Sequence, residues 1–207
     1  MLLILGISVS RVYLGVHFPH DVMAGWAIGI VLLAAYVRIE PGAARWLSSR
    51  SPVAGVAAAL VLSLAMLSVV IGVRAVIAGG ADPPGWEAAA TGAAPASAKR
   101  PYDPRSLDNP VADVGLVFGA GAGLALRRRY ARFDARGPWG KRIARLALGF
   151  IVLAALRFGL GALFPREPLA VGLAFRYVRY AFIALGALWL APWLFLRLRL
   201  AEKDLAT

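Results

Sequence analysis

The feature that most constrains this chain of 207 residues is a series of five long apolar runs separated by short polar and basic segments. The runs cover residues 22–37, 53–77, 111–126, 143–164 and 177–196, and an apolar stub over residues 1–9 precedes them. They approach the ~20 residues that a helix needs to cross a bilayer. The chain is also 60% hydrophobic, against about 45–50% in soluble domains. The sequence therefore predicts an all-α polytopic membrane helix bundle with five spanning helices plus an N-terminal helical stub.

The distribution of basic residues predicts the orientation of this bundle. Segments 38–52, 127–145 and 197–203 hold three, eight and three Lys or Arg residues, whereas segments 78–110 and 165–176 hold three and two. The positive-inside rule places the richer set in the cytoplasm. Residues 10–21 then face outward, to the periplasm or the exterior. The Ala-, Arg- and Gly-rich composition suggests a bacterial source, and therefore a cytoplasmic (inner) membrane. The net charge of +12 does not predict nucleic-acid binding, because its basic residues lie in loops between apolar runs rather than on one face of a soluble fold.

Small and turn-forming residues divide the rest of the chain. Residues 39–52 and 165–175 are predicted to be short connections, and the Pro-, Gly- and Ala-rich segment 78–110 a long outer loop. Gly115, Gly119 and Gly123 recur every four residues on one face of a helix, a pattern that lets membrane helices approach closely. We prefer this packing role to a phosphate-binding loop, because no lysine follows at the required place.

Four charged residues lie in or near apolar runs: Arg74, Asp113, Arg157 and Arg179. A lone charge in hydrocarbon is costly, so such residues are paired, wetted or functional. We expect Asp113 to pair with Arg157 or Arg74. The alternatives are that the arginines snorkel to the headgroups, or that the charges mark the pathway of a transporter.

Both histidines of the chain lie three residues apart, between the stub and the first run. Pro19 is suited to the first position of a helix, which places Asp21 in the first helical turn, where a carboxylate is favourable. From there Asp21 can reach back to His17, fixing its tautomer and leaving the other ring nitrogen free to attack or to accept a proton. Arg11 supplies a planar fork for phosphate oxygens, beside a helix N-terminus that favours anions.

Two other interpretations of these residues need no phosphate chemistry. His17, His20 and Asp21 are possible metal ligands, but the chain has no further His and no Cys to complete a site, so we expect no metal and no cofactor. A His–Asp pair with a snorkelling arginine at the membrane interface is the other possibility. We expect His20 to be an interfacial residue.

The register Ser10-Arg11, five residues, His17, three residues, Asp21 resembles the third signature motif of the type 2 phosphatidic acid phosphatase superfamily, the membrane relatives of the vanadium haloperoxidases. Tyr13, the Gly-Val before His17 and the residues through Gly25 match that family as well. The resemblance covers roughly residues 5–35. No family motif follows, although the later helices look like the membrane tails of longer members.

This resemblance implies a membrane phosphatase that hydrolyses a lipid phosphate or a polyprenyl diphosphate through a phosphohistidine. His17 and Asp21 would be catalytic, as the nucleophile and its orienting partner. Arg11 and Ser10 would bind the substrate phosphate. Residues 1–38 would be the C-terminal part of the phosphatase-like domain, and residues 39–207 further transmembrane helices. The expected partners are the lipid substrate and membrane lipids.

The two earlier motifs of that family, Lys-six residues-Arg-Pro and Pro-Ser-Gly-His, do not occur in the sequence. The second would carry the histidine that protonates the leaving group. We therefore expect Met1 to be an internal methionine of a longer reading frame that encodes both motifs, and these 207 residues to be inactive alone. The alternative functions are a non-catalytic membrane protein, acting in binding or assembly, and a transporter, each retaining the motif.

Overall fold

The computed structural model describes residues 2–78, 85, 88–89, 92, 106–165 and 167–204. Its helices there are α1 (Leu2–Tyr13), α2 (Pro19–Ser48), α3 (Pro52–Ala78), α4 (Asp108–Tyr130), α5 (Trp139–Leu163) and α6 (Leu169–Arg197). The last five are long and apolar enough to cross a membrane. Even α4, with 23 residues, is about 35 Å long at 1.5 Å per residue. The predicted all-α bundle of five spans and a short N-terminal helix is confirmed, while most of the predicted loop 78–110 lies outside the described residues.

The chain divides into two units, residues 1–50 and 51–207. In the first, α1 and α2 are joined by a short turn, and the Trp26 indole N–H donates to Ser8 Oγ at 3.1 Å. Neither helix has a buried residue. The predicted polar loop at 39–52 is wrong in its first part, because α2 continues through Pro41 to Ser48. Pro41 removes one backbone donor, but the alanines and arginine that follow it are strong helix formers.

In the second unit, α4 packs between α3 and α6 through its glycines. A Cβ at Gly115 would lie 2.5 Å from the Tyr177 carbonyl oxygen, and one at Gly119 would overlap the Ala181 carbonyl. Both carbonyls belong to α6, so only glycine lets the two backbones come this close. The prediction that this glycine stripe mediates close helix packing is therefore confirmed.

One buried serine connects α3 to both of its neighbours. Ser63 is fully buried, and its hydroxyl lies 2.7 Å from the Tyr177 hydroxyl and 3.2 Å from the Val114 carbonyl oxygen, to which it donates. Phe118 stacks on Tyr177 with the ring centres 6.1 Å apart. A membrane helix can satisfy a buried hydroxyl only with protein partners, so these contacts link α3, α4 and α6 at one level.

Helices α5 and α6 each contain a π-helical turn, at Ala155–Gly159 and Gly186–Leu190. Gly186 lies against the Leu156 side chain, with no room for a Cβ. Helix α6 begins at Leu169, eight residues before the predicted apolar run. The prediction of a turn through Phe175 is wrong because the N-cap Pro168 is extended (ψ 165°) and the residues that follow it continue the helix.

A buried arginine stabilises the end of this unit at which α4 ends and α5 begins. Arg145 is 7% exposed and donates to the carbonyl oxygens of Asp134, Ala135 and Arg136 at 2.9, 2.6 and 3.3 Å. The C-terminal segment pairs with the same loop, since the Asp134 N–H donates to the Glu202 carbonyl oxygen at 3.0 Å. One side chain thus organises the connection between α4 and α5.

Candidate active site

A glycine-terminated turn ends α1 inside the motif. The Val16 N–H donates to the Arg11 carbonyl oxygen at 3.2 Å, and the Gly15 N–H donates to that of Val12 at 3.0 Å. This pair of bonds, with Gly15 at φ +68°, is a Schellman motif, which favours glycine because the residue after the helix adopts the left-handed conformation. The glycine of the Gly-Val pair that precedes His17 is therefore explained by local backbone geometry.

The start of α2 is built by the residues that follow His17. Phe18 is extended (φ −80°, ψ 155°), and Pro19 occupies the first helical position, as predicted. The Asp21 carboxylate accepts a hydrogen bond from the Phe18 N–H through Oδ2 at 2.9 Å. Asp21 is thus a helix-capping residue as well as a candidate catalytic one. The signal for this was an acidic residue at the third helical position, from which a side chain can reach back to the N-cap N–H.

The second contact of the Asp21 carboxylate is with His20. Its Oδ1 lies 3.2 Å from His20 Nε2, and the two side chains are 44% and 78% exposed. The His20 ring also stacks on Phe18, with the ring centres 5.5 Å apart and the planes 9° from parallel. Sequence reasoning missed this contact, because it assigned the carboxylate to the other histidine.

His17 lies in the exposed turn between the two helices. Within the part of the chain that the structure describes, its ring makes no hydrogen bond, ion pair or ring contact. The pairing of His17 with Asp21 stays a prediction. Each carboxylate oxygen has two lone pairs, so Asp21 retains acceptor capacity for a second histidine while it caps the helix.

The two residues predicted to bind phosphate lie in the last turn of α1. Arg11 is exposed, and its side chain makes no ion pair in the described ranges. The Ser10 hydroxyl donates to the Ile7 carbonyl oxygen at 2.7 Å, which leaves its acceptor lone pairs open. A fully ionised phosphate has no proton to donate to these lone pairs. Ser10 would therefore have to turn its hydroxyl from the Ile7 carbonyl towards a phosphate oxygen in order to bind phosphate.

The charged residues of the second unit do not pair as predicted. Asp113 is exposed and forms no ion pair with Arg157 or Arg74 in the described ranges, so that prediction is wrong. Instead, Arg176 Nη1 lies 3.5 Å from Asp108 Oδ2 at the beginning of α4. The reason is rotational: Asp113 lies on an exposed side of α4, whereas its neighbours Ala112 and Val114 are buried.

No three His, Cys, Asp or Glu side chains come together as metal ligands in the residues that the structure describes. Residues 10–21 instead place an exposed imidazole in the turn that follows Arg11 along the chain and precedes the capped start of α2. It can present a nitrogen nucleophile to an anionic phosphorus centre.

Two family models match the chain. The PAP2 superfamily model matches residues 1–45, and the model described as PAP2 superfamily phosphatase, transmembrane extension, matches residues 111–203. The first match contains the motif and confirms the resemblance seen in the sequence. The second shows that the similarity extends well beyond residues 5–35, into helices that carry no recognisable motif. No curated protein and no solved structure matches the chain.

Proposed function

The chain belongs to the PAP2 superfamily of membrane phosphatases, and from this premise we propose that it hydrolyses a lipid phosphate or a polyprenyl diphosphate through a phosphohistidine on His17. The observation that carries the proposal is the register of Arg11, His17 and Asp21 within the residues matched by the family model. The turn between α1 and α2 supports it, because it leaves the His17 ring exposed and unpartnered within the described residues.

In the first proposed step, a His17 ring nitrogen attacks phosphorus and the bond from phosphorus to the lipid oxygen breaks. The leaving oxygen takes a proton from a general acid, which in this family is the histidine of a motif that the sequence lacks. Water then attacks the phosphohistidine, which releases inorganic phosphate and restores the imidazole. Arg11 would stabilise the negative charge on the equatorial oxygens during both displacements, as a planar guanidinium can.

Asp21 would act on His17 in two ways. Its bond to the Phe18 N–H fixes the backbone one residue after the nucleophile. When the carboxylate exchanges His20 for His17, it would also hold the tautomer that leaves the attacking nitrogen unprotonated. These two roles are separable, because an amide oxygen can accept the Phe18 hydrogen bond but carries no charge.

The proposal is tested by phosphate release from a short-chain phosphatidic acid in membranes that contain the protein expressed from its native gene. His17→Ala should abolish turnover, whereas the matched variant His20→Ala should retain most of it, because the His20 ring pairs with Asp21 and stacks on Phe18 and has no role in the proposed steps. Acid quenching of the wild type should trap an acid-labile phosphoprotein that His17→Ala lacks. Near-normal hydrolysis by His17→Ala would contradict the assignment.

Asp21→Asn separates capping from charge. We expect it to lower turnover by orders of magnitude, by analogy with Ser-His-Asp triads, where the same change reduces kcat ~10⁴-fold, while the protein remains as stable as the wild type. Asp21→Ala should lower both activity and stability, the latter by about 0.5–2 kcal/mol for a lost cap. Turnover by Asp21→Asn within a few-fold of the wild type would restrict Asp21 to the capping role.

The chain is a multi-pass membrane protein, and we propose that it lies in a bacterial cytoplasmic membrane with the motif facing outward. The count of basic residues supports this orientation, since segments 38–52, 127–145 and 197–203 hold 14 Lys and Arg residues and segments 78–110 and 165–176 hold five. A phosphatase in this orientation would act on lipids of the outer leaflet.

A further inference from the structure

A cavity of about 450 Å³ opens in the second unit where α5 ends and α4 and α6 begin. Among the described residues, its charged lining has three guanidinium groups and two carboxylates: Arg157, Arg176, Arg179, Asp108 and Glu167. These leave a net positive charge. The apolar part of the wall comes from the ends of α5 and α6, and includes Phe164, Leu169, Leu173 and Phe175. The cavity therefore combines a cationic wall with an apolar one.

Two of the guanidinium groups border the same small space. A Cβ built on Gly161 would lie 3.4 Å from Arg179 Nη1 and 3.6 Å from Arg157 Nη1. Because Gly161 has no side chain, this space is open to an anion that would contact both guanidinium groups.

Arg157 makes no ion pair in the described ranges. Its guanidinium carbon lies 6.0 Å from the centre of the Phe158 ring. It lies on the π-helical turn Ala155–Gly159, six residues and therefore about 9 Å before the end of α5. A charge at this depth of a spanning helix requires a partner, and π-helical turns are frequent at functional sites.

Arg176 is held in place by its neighbours at the cavity edge. Its Nη1 lies 3.5 Å from Asp108 Oδ2, and its Nη2 donates to Asn109 Oδ1 at 3.4 Å. The guanidinium carbon also lies 5.7 Å from the centre of the Tyr180 ring, and its Nε is buried without an acceptor in the described part of the chain. A fixed fork of this kind is suited to phosphate oxygens.

We propose that this cavity binds a phosphate group, with Arg157 as its main ligand and Arg176 and Arg179 beside it. Two ligands have this chemistry: a lipid with a phosphate monoester headgroup, and inorganic phosphate. The apolar wall favours the lipid, whose acyl chains could lie against α5 and α6. The site uses no residue of α1 or α2, so it does not depend on the proposed catalysis. By the charge count, it opens on the outer side of the membrane.

The test measures lipid binding by native mass spectrometry of the full chain in detergent, in an Arg11→Gln/His17→Ala background that removes the motif. Dioleoyl phosphatidic acid should bind at least tenfold more tightly than dioleoyl phosphatidylcholine. Arg157→Gln should weaken phosphatidic acid binding about tenfold or more. The matched variant Arg74→Gln should not, because Arg74 also lies near the outer end of a spanning helix but does not line the cavity.

Two further variants, which add a side chain at a glycine, keep the proposal testable if Arg157→Gln does not fold. Gly161→Leu should weaken phosphatidic acid binding by filling the space between the two guanidinium groups. Gly159→Leu should not, since a Cβ there meets nothing within 4 Å. Competition with millimolar inorganic phosphate identifies the source: displacement of the lipid supports free phosphate as the ligand, and retention supports the headgroup. Equal affinity for both lipids, or full affinity in both Arg157→Gln and Gly161→Leu, would overturn the proposal.

Discussion

Substituting Gly119 with alanine tests the packing at the centre of the second unit. The added Cβ would overlap the Ala181 carbonyl of α6, so the two helices must separate or rotate. Extra methyl groups in a well-packed core cost about 1–3 kcal/mol, and the higher helix propensity of alanine returns about 0.8–1.0 kcal/mol. Gly72→Ala in α3 is the matched control, because a Cβ there meets nothing within 4 Å. The propensity gain cancels between the two variants, so Gly119→Ala should be about 1–3 kcal/mol less stable than Gly72→Ala.

Equilibrium unfolding in mixed detergent micelles, followed by the fluorescence of the six tryptophans, measures this difference. The Gly119→Ala transition should shift to a lower fraction of denaturing detergent, and the Gly72→Ala transition should stay at or above that of the wild type. If the two variants unfold together, the close approach of α4 and α6 does not contribute to stability, and the explanation of the glycine stripe is wrong.

Three further predictions concern other parts of the chain. Gly15→Ala should destabilise the turn after α1 by about 1–2 kcal/mol, because an L-residue is strained at positive φ, and faster amide exchange in the turn would reveal it; unchanged exchange would contradict the role assigned to this glycine. Arg145→Lys should lower the free energy of unfolding by about 1.5–3 kcal/mol or more, since an ammonium group cannot replace a fork bound to three carbonyls, whereas Arg142→Lys, at an exposed position, should have little effect. In this cysteine-free chain, a membrane-impermeant maleimide applied to intact cells should label Leu14→Cys but not Ser49→Cys, and the reverse pattern would invert the proposed orientation.

The sequence by itself determined the number of membrane crossings and the beginning of α2. Hydropathy summed over about 20 residues depends on composition and not on partners, so the five spans could be predicted without a structure. The start of α2 at Pro19 follows from the fixed φ and missing N–H of proline, which act within one turn. The motif register was equally readable, because it is a property of spacing along the chain.

The boundaries of the helices were less predictable. Residues 39–48 look polar, yet they extend α2, and the segment after Pro168 looks like a turn, yet it begins α6. For residues 39–48 the hydropathy pattern records where the lipid ends, whereas the helix continues as long as its backbone bonds are satisfied. Residues 169–175 are themselves apolar, and the extended Pro168 before them is the N-cap of α6 rather than part of a longer turn. The end of the helix coincides with the edge of the lipid only when a capping or helix-breaking residue lies at the membrane surface.

Only the tertiary structure decided which side chains meet. The glycine stripe was visible in the sequence, but its partner, the backbone of α6 at Tyr177 and Ala181, was not. Asp113 looked like the natural partner of an arginine in an apolar run, yet α4 is rotated so that Asp108, five residues earlier, reaches Arg176 instead. The physical reason is that a contact depends on the rotation and depth of two helices together, and these are set by the packing of many residues that are distant in sequence.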